Sequence, residues 1–219
     1  MMAGEVYIGG ERISKPDRLI DEDGLIEIRT NSSMPYVGYG GVKLERAIRE
    51  FGIGVRGKTA IDIGSSTGGF VDFLLQAGAH KVYAVDVGTH QLHERLRADK
   101  RVVLLENKNA RLLTREDIGE EADIITVDVS FISLKKIIPQ AIPLLAPAGR
   151  LITLVKPQFE VGRYQVGKGG IVRSEERIRM VLDDIREFGA QIGIHAQGTA
   201  EAPRERDRKN REYFILWER

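Results

Sequence analysis

The sequence predicts an α/β domain: a mostly parallel seven-stranded sheet with helices on both faces, closed by an antiparallel C-terminal strand and preceded by a short β-rich appendage. Three observations predict it. Short apolar runs alternate with amphipathic stretches from Thr59 onward; one of those runs opens directly into glycines, DIGSSTGGF; and the last apolar run, EYFILW, follows a polar loop rather than a helix.

Taken in order, Glu5 to Ile13 alternates around Gly9-Gly10, a two-residue hairpin signal, and Leu25 to Arg29 supplies a further short strand. Asn31 to Pro35 is a polar break that reads as a linker, which divides the chain into residues 1–33 and 34–219. Strands are then expected at Thr59 to Ile63, Lys81 to Val87, Val102 to Glu106, Asp123 to Val127 and Arg150 to Val155, with helices between them. Gln191 to Gln197 and Glu212 to Trp217 form the final pair. Their short connection favours an antiparallel arrangement at the end of the sheet.

Bulk properties narrow the function. With 219 residues, 42% hydrophobic and 30% charged, the chain suits one globular domain plus a small appendage. It has no cysteine, so disulfides, zinc–thiolate sites and thiol nucleophiles drop out, and no metal is expected. No apolar run approaches the roughly 18 residues of a spanning helix, and MMAGEVYIGG lacks the regions of a signal peptide, so a soluble cytoplasmic protein without membrane contact is expected. The 33 basic and 32 acidic residues leave a net charge of +1, so any affinity for nucleic acid must come from local clusters.

In DIGSSTGGF an apolar strand ends in Asp62 and runs into Gly64, Ser65, Ser66, Thr67, Gly68, Gly69 and Phe70, at the edge where open parallel sheets bind ligands. The glycines permit a sharp turn and close approach to a ligand, and the following helix offers free N–H groups to a carboxylate. The spacing differs from the G-x-G-x-x-G of dinucleotide folds, and a strand-end Asp62 points instead to S-adenosylmethionine. Asp86, followed by Val87, ends the next strand about 20 residues beyond, where a carboxylate can accept both ribose hydroxyls. Asn107 and Asn109 are candidates for the adenine side. The competing structural explanation gives Gly68 and Gly69 a packing role and makes Asp86 the cap of a helix near His90.

Asp128 and Lys156 end the fourth and fifth strands of this series, at the same edge. A lysine leaving a buried strand needs an acceptor, and Asp128 on the neighbouring strand supplies one. Lys43 in GYGGVKLERAI and Glu212 at the start of EYFILW are ordinary surface charges when taken alone. Arg204, Arg206, Arg208, Lys209 and Arg211 form a basic run suited to RNA phosphates, or simply a solvated loop. A second run, Arg95, Arg97, Lys100 and Arg101, reads better as a solvated helix face. Gln158 to Val172, long and glycine-rich, is expected to act as a mobile substrate lid.

YVGYGGVKLERAI, DIGSSTGGFVDFLLQAGAHKVYAVDVG, VDVSFISLKKIIP, LVKPQFEVGRYQVGKGGIVR and NREYF together resemble the TlyA-type (hemolysin A-like) ribosomal RNA 2'-O-methyltransferases of the FtsJ-like group. The resemblance implies a Rossmann-like fold, S-adenosylmethionine as cofactor, ribosomal RNA or ribosomal subunits as partner, and a Lys-Asp-Lys-Glu catalytic set on Lys43, Asp128, Lys156 and Glu212. Two departures stand out: Gly38-Tyr39 replaces the family's serine-arginine pair, and Asn107-Lys108-Asn109 differs from the usual motif. GEVYIGGERISKPDRLIDEDGLIEIR resembles the second half of an S4 RNA-binding domain.

Methyl transfer to a ribose hydroxyl requires that the oxygen lose its proton or that its developing charge be stabilised. An ordinary lysine, near a pKa of about 10.4, is protonated at neutral pH, so Lys156 fits either a base brought down by its surroundings or a cation facing the oxygen. Three rivals remain at this point: an RNA-binding protein that keeps the fold without catalysis, a membrane-active cytolysin, and a methyltransferase acting on a small molecule or protein.

Overall fold

The computed structural model describes residues 5–13, 19, 25–29, 34–161, 167–205 and 209–219. Three strands near the N-terminus, β1 (Glu5–Ile8), β2 (Glu11–Ile13) and β3 (Ile26–Arg29), form an antiparallel sheet in the order β2-β1-β3. Gly9 and Gly10 stand at φ of 56° and 80°, which a two-residue turn of this hand requires and only glycine adopts without strain. The expected hairpin is present. Residues 31–33 of the expected linker lie outside the described residues.

The larger unit begins with helix α1 (Tyr39–Glu50) and continues through β4 (Thr59–Ile63), α2 (Gly69–Gln76), β5 (Lys81–Val85), the short α3 (Glu94–Arg97) and β6 (Val102–Leu105). After α4 (Arg115–Ile118) come β7 (Ala122–Val127), α5 (Ile138–Ala141) and β8 (Leu145–Val155). The chain ends with α6 (Pro157–Glu160), α7 (Glu175–Gln191), β9 (His195–Glu201) and β10 (Tyr213–Glu218).

The seven strands lie in the order β6-β5-β4-β7-β8-β10-β9. Those from β6 to β8 are parallel, while β10 pairs antiparallel with both β8 and β9. The chain steps outward from β4 to β6 and then returns to place β7 on the other side of β4. That reversal opens a crevice beyond the ends of β4 and β7, where ligands of such sheets bind.

Alternation within the strands divides the core between the two faces. Ile61, Ile63, Tyr83, Val85, Ile125, Val127, Ile215 and Trp217 pack on one face. Ala60, Val82, Ala84, Ile124, Phe214 and Leu216 pack on the other, against α1 and α2. Burial on both faces explains why these strands are apolar throughout rather than alternating. Trp217, fully buried, donates its indole N–H to Thr153 Oγ1 at 2.9 Å, and Gly189 on α7 leaves room for its ring.

Strand boundaries differ most from expectation at β8 and β9; β5 also ends at Val85 rather than Val87, and β9 at Glu201 rather than Gln197. Gln191 belongs to α7, which carries its apolar face through that residue and stops before Gly193 at φ 81°, so β9 starts at His195. The strand expected from Arg150 starts at Leu145, because Leu145 pairs with Ala122 across an irregularity in the β7 ladder.

Candidate active site

A cavity of about 470 Å³ opens in the crevice. Gly64, Ser66, Asp86 and Val87 line it from the β4–β5 side, Lys108, Asn109 and Arg111 from beyond β6, and Asp128 to Ile132 from the end of β7. Its character is apolar with a few converging polar groups, as is usual for small-molecule sites.

Gly64, at φ 89°, is the residue for which glycine is indispensable. A Cβ there would stand 2.2 Å from the carbonyl oxygen of Asp128, so the loop passes against the end of β7 only because no side chain intervenes. Asp86 is held by backbone: Ser66 N–H donates to Oδ2 at 2.8 Å and Gly88 N–H donates to Oδ1 at 2.7 Å. Each oxygen keeps a second lone pair for a ligand hydroxyl. The cap near His90 is not its role, since α3 starts at Glu94 and His93 accepts from Arg95 N–H.

Other residues of the glycine loop serve it from outside the cavity. Asp62 is 1% exposed and accepts from Thr126 Oγ1 at 2.7 Å, below the loop. Burial pushes its carboxyl from 3.8 up to about 8, with Asp128 and Asp86 adding to the effect and the Thr126 hydrogen bond opposing it. Gly68 and Gly69 serve packing: a Cβ on the first would strike Leu96 and Leu92, and one on the second would strike Gly41 N at the start of α1. Phe70 packs on Phe214 in the core, and the Thr67 carbonyl accepts from His93 N–H. Asn107 turns the chain at φ 53°, with its N–H on Gly88 O, and Asn109 accepts from Arg111 N–H while its side chain borders the cavity. Ser65 Oγ is buried without a hydrogen-bond partner.

The four charged residues assemble into two ion pairs. Lys156 Nζ lies 2.5 Å from Asp128 Oδ1, and Lys43 Nζ donates to Glu212 Oε2 at 2.6 Å. The sheet explains their shared location. Asp128 and Lys156 each follow the last residue of neighbouring parallel strands, and the register Tyr213↔Val155 brings Glu212 alongside Lys156. Lys43 reaches the edge from α1, which can sit close to α2 because Gly41 and Gly69 meet there.

Sequence reasoning missed Ser130, Phe131 and Gln91. Ser130 Oγ accepts from Lys156 Nζ at 3.0 Å, and Gln91 borders the cavity beside Gly88. Phe131 is 90% exposed, stands at φ 64° and packs against Phe159, with 4.8 Å between ring centroids and 49° between ring planes. A bulky residue with positive φ at a cavity rim was a signal available only from the backbone.

The basic run before Glu212 differs from expectation. Arg211 donates through Nε and Nη2 to both oxygens of Glu201 at 3.0 and 2.8 Å and pairs with Glu175 through Nη1, so it braces β9 and α7 rather than facing solvent as a phosphate contact. Lys209 pairs with Glu205, Arg204 is exposed, and Arg206 and Arg208 lie outside the described residues. In the second run Arg95, Arg97 and Arg101 pair with Asp72, Glu106 and Asp99, as a solvated helix face would. Of the expected lid, residues 162–166 lie outside the described residues; its end is fixed by Asn210, which accepts from Val172 N–H and donates to Gly170 O, both at 2.8 Å.

The sheet order, the reversal at β4 and β7 and the cavity at that point define a Rossmann-like domain of the methyltransferase type. Ribosomal protein L11 methylase from Lactobacillus delbrueckii shares the fold at 17% identity, with a TM-score of 0.55 over 82% of this chain and 76% of that one. Residues 36–219 match the model of the FtsJ-like methyltransferases, and the chain belongs to that family. It is 42% identical to the 16S/23S rRNA (cytidine-2'-O)-methyltransferase TlyA of Mycobacterium tuberculosis over 216 residues, 98% of this chain and 80% of that protein. A solved structure of a candidate hemolysin from Streptococcus thermophilus is 40% identical, with a TM-score of 0.83 over the whole of this chain and 80% of that one.

Proposed function

We propose that the protein transfers a methyl group from S-adenosylmethionine to a ribose 2'-hydroxyl of ribosomal RNA. The observation that carries this reading is the Lys156–Asp128 pair at 2.5 Å, whose Asp128 lines the cavity, with Lys43–Glu212 at the same sheet edge. The kinship with TlyA supports the choice of ribosomal RNA.

The residues present suit the cofactor. Gly64 lets the loop close against the end of β7 and lines the cavity, Asp86 keeps lone pairs for ribose hydroxyls, and exposed Val87 with Ile132 gives apolar surface for a base. Bound there, S-adenosylmethionine supplies an electrophilic methyl group. Lys156 faces the acceptor oxygen, either taking its proton or stabilising its developing charge. Asp128 holds that ammonium at the edge, and Glu212 holds Lys43 beside it. Phe131, exposed and packed at a tilt against Phe159, offers a face on which an unstacked nucleobase can rest.

Residues 1–33 serve as a partial S4-like RNA-binding module joined to the catalytic unit of 34–219, a division that the small β2-β1-β3 sheet supports. An enzyme with this substrate works in the cytoplasm, where ribosomes are. Among the described residues no helix is long and apolar enough to cross a membrane. Incubation with labelled S-adenosylmethionine and ribosomal subunits or bare ribosomal RNA, followed by mapping of 2'-O-methylation, tests the proposal. Label on ribose is expected; no label in RNA under any of these conditions overturns it.

A further inference from the structure

Asp128 and Ser130 act on Lys156 in different ways. The carboxylate is the nearer, its Oδ1 2.5 Å from Nζ in an ion pair. Ser130 Oγ accepts from the same ammonium at 3.0 Å. One contact leaves an ammonium free to turn about it, whereas a second acceptor in another direction sets where the remaining N–H groups of Lys156 point.

Ser130 is exposed, and the turn that carries it is held by its neighbours. The segment after β7 and the segment after β8 are joined at successive points: Lys156 to Ser130, Phe159 to Phe131, and Glu160 Oε1 to Leu134 N–H at 2.8 Å. Between the first two links, Phe131 takes a left-handed backbone conformation, φ 64°, that a bulky side chain adopts only under constraint. Burial raises the Glu160 carboxyl above its ordinary value, while hydrogen bonds from Ser133 and Leu134 oppose the shift. A partly buried group with two hydrogen-bond donors on it is held to its partners.

We propose that Ser130 is a positioning residue for the transfer reaction, fixing the direction of the Lys156 ammonium toward the acceptor oxygen while Glu160 anchors the turn that presents the hydroxyl. This rests on the assignment of Lys156 above. A serine hydroxyl suits the task in either protonation state of the lysine, because it accepts from an ammonium and donates to an amine. No group other than these side chains is required.

The test compares Ser130→Ala and Ser130→Thr in the full chain, by single-turnover methyl transfer to ribosomal RNA, cofactor affinity and thermal unfolding. Ser130→Ala is expected to slow transfer by about tenfold or more with cofactor affinity and Tm unchanged, and Ser130→Thr, which keeps the hydroxyl, to recover most of the rate. Glu160→Gln, which keeps an acceptor for Leu134 N–H, is expected to transfer faster than Glu160→Leu. A second readout does not depend on catalysis: acylation of Lys156 at fixed pH, followed by peptide mass spectrometry, is expected to be faster in Ser130→Ala than in the parent. If the parent labels no RNA, the functional reading fails and the acylation comparison still decides the role of Ser130. Parent-like transfer or parent-like acylation in Ser130→Ala overturns the proposal.

Discussion

On the β4–β5 side of the crevice the polar contacts are made by backbone, whereas on the β7–β8–β10 side they are made by charged side chains. Asp86 is fixed by two peptide N–H groups and Gly64 by its lack of a Cβ, so the cofactor half depends on the path of the main chain. Lys156, Asp128, Lys43 and Glu212 are instead held to one another by two ion pairs, and each can be replaced without moving a strand. Damage to the first half is expected to appear in stability and binding together. Damage to the second is expected to appear chiefly in turnover, with small effects on stability.

The sharpest test of that contrast is Lys156→Ala. Transfer is expected to fall by about 10²–10⁴-fold, with cofactor affinity and unfolding midpoint retained, as measured by single-turnover labelling, calorimetric titration and thermal melts. Next comes Gly64→Ala, whose methyl group would meet the Asp128 carbonyl at 2.2 Å in a backbone conformation unfavourable to alanine. A loss of roughly 2–5 kcal/mol in denaturant unfolding and a parallel loss of cofactor affinity are expected.

A third test uses pH. Because Asp62 holds its proton up to about 8 in the folded protein but only to about 4 in an unfolded chain, stability is expected to decline as pH rises from 4 to 8 and to level off above. Asp62→Asn cannot ionise, so its unfolding free energy should match the parent near pH 4 and exceed it near pH 8. Equal pH profiles for the two would show that Asp62 does not carry the proton. The smallest effect is expected across the Lys43–Glu212 pair, where a double-mutant cycle with Lys43→Met and Glu212→Gln should give a coupling of about 1 kcal/mol in stability, as for partly exposed ion pairs.

Most of the fold was legible because its signals are local. Doubly buried strands must be apolar throughout, and Thr59–Ile63 was recognisable from that alone. Gln191 misled because an amphipathic helix running to its end and a short strand after it look alike until Gly193 is seen to stop the helix. Within the site, Asp86, Asp128 and Lys156 drew attention by their places at strand ends. For Gly68 and Gly69 the sequence left a ligand role and a packing role side by side, and their contacts with Leu92, Leu96 and Gly41 are packing contacts. The run containing Arg211 left a phosphate contact and a solvated loop open, because the partners Glu201 and Glu175 lie on other elements.

The sequence by itself determined the strand series, the glycine turn after β4, the acid after β5 and the strand-end positions of Asp128 and Lys156, because each depends on spacing along the chain; Lys43 and Glu212 joined them only through the family resemblance. Only the tertiary structure decided which charges pair, that Asp62 lies buried beneath the loop, and that Ser130 joins Asp128 on the Lys156 ammonium. Those outcomes depend on distances between strands and on the angles at which groups meet. Residue order constrains such quantities only through the packed sheet.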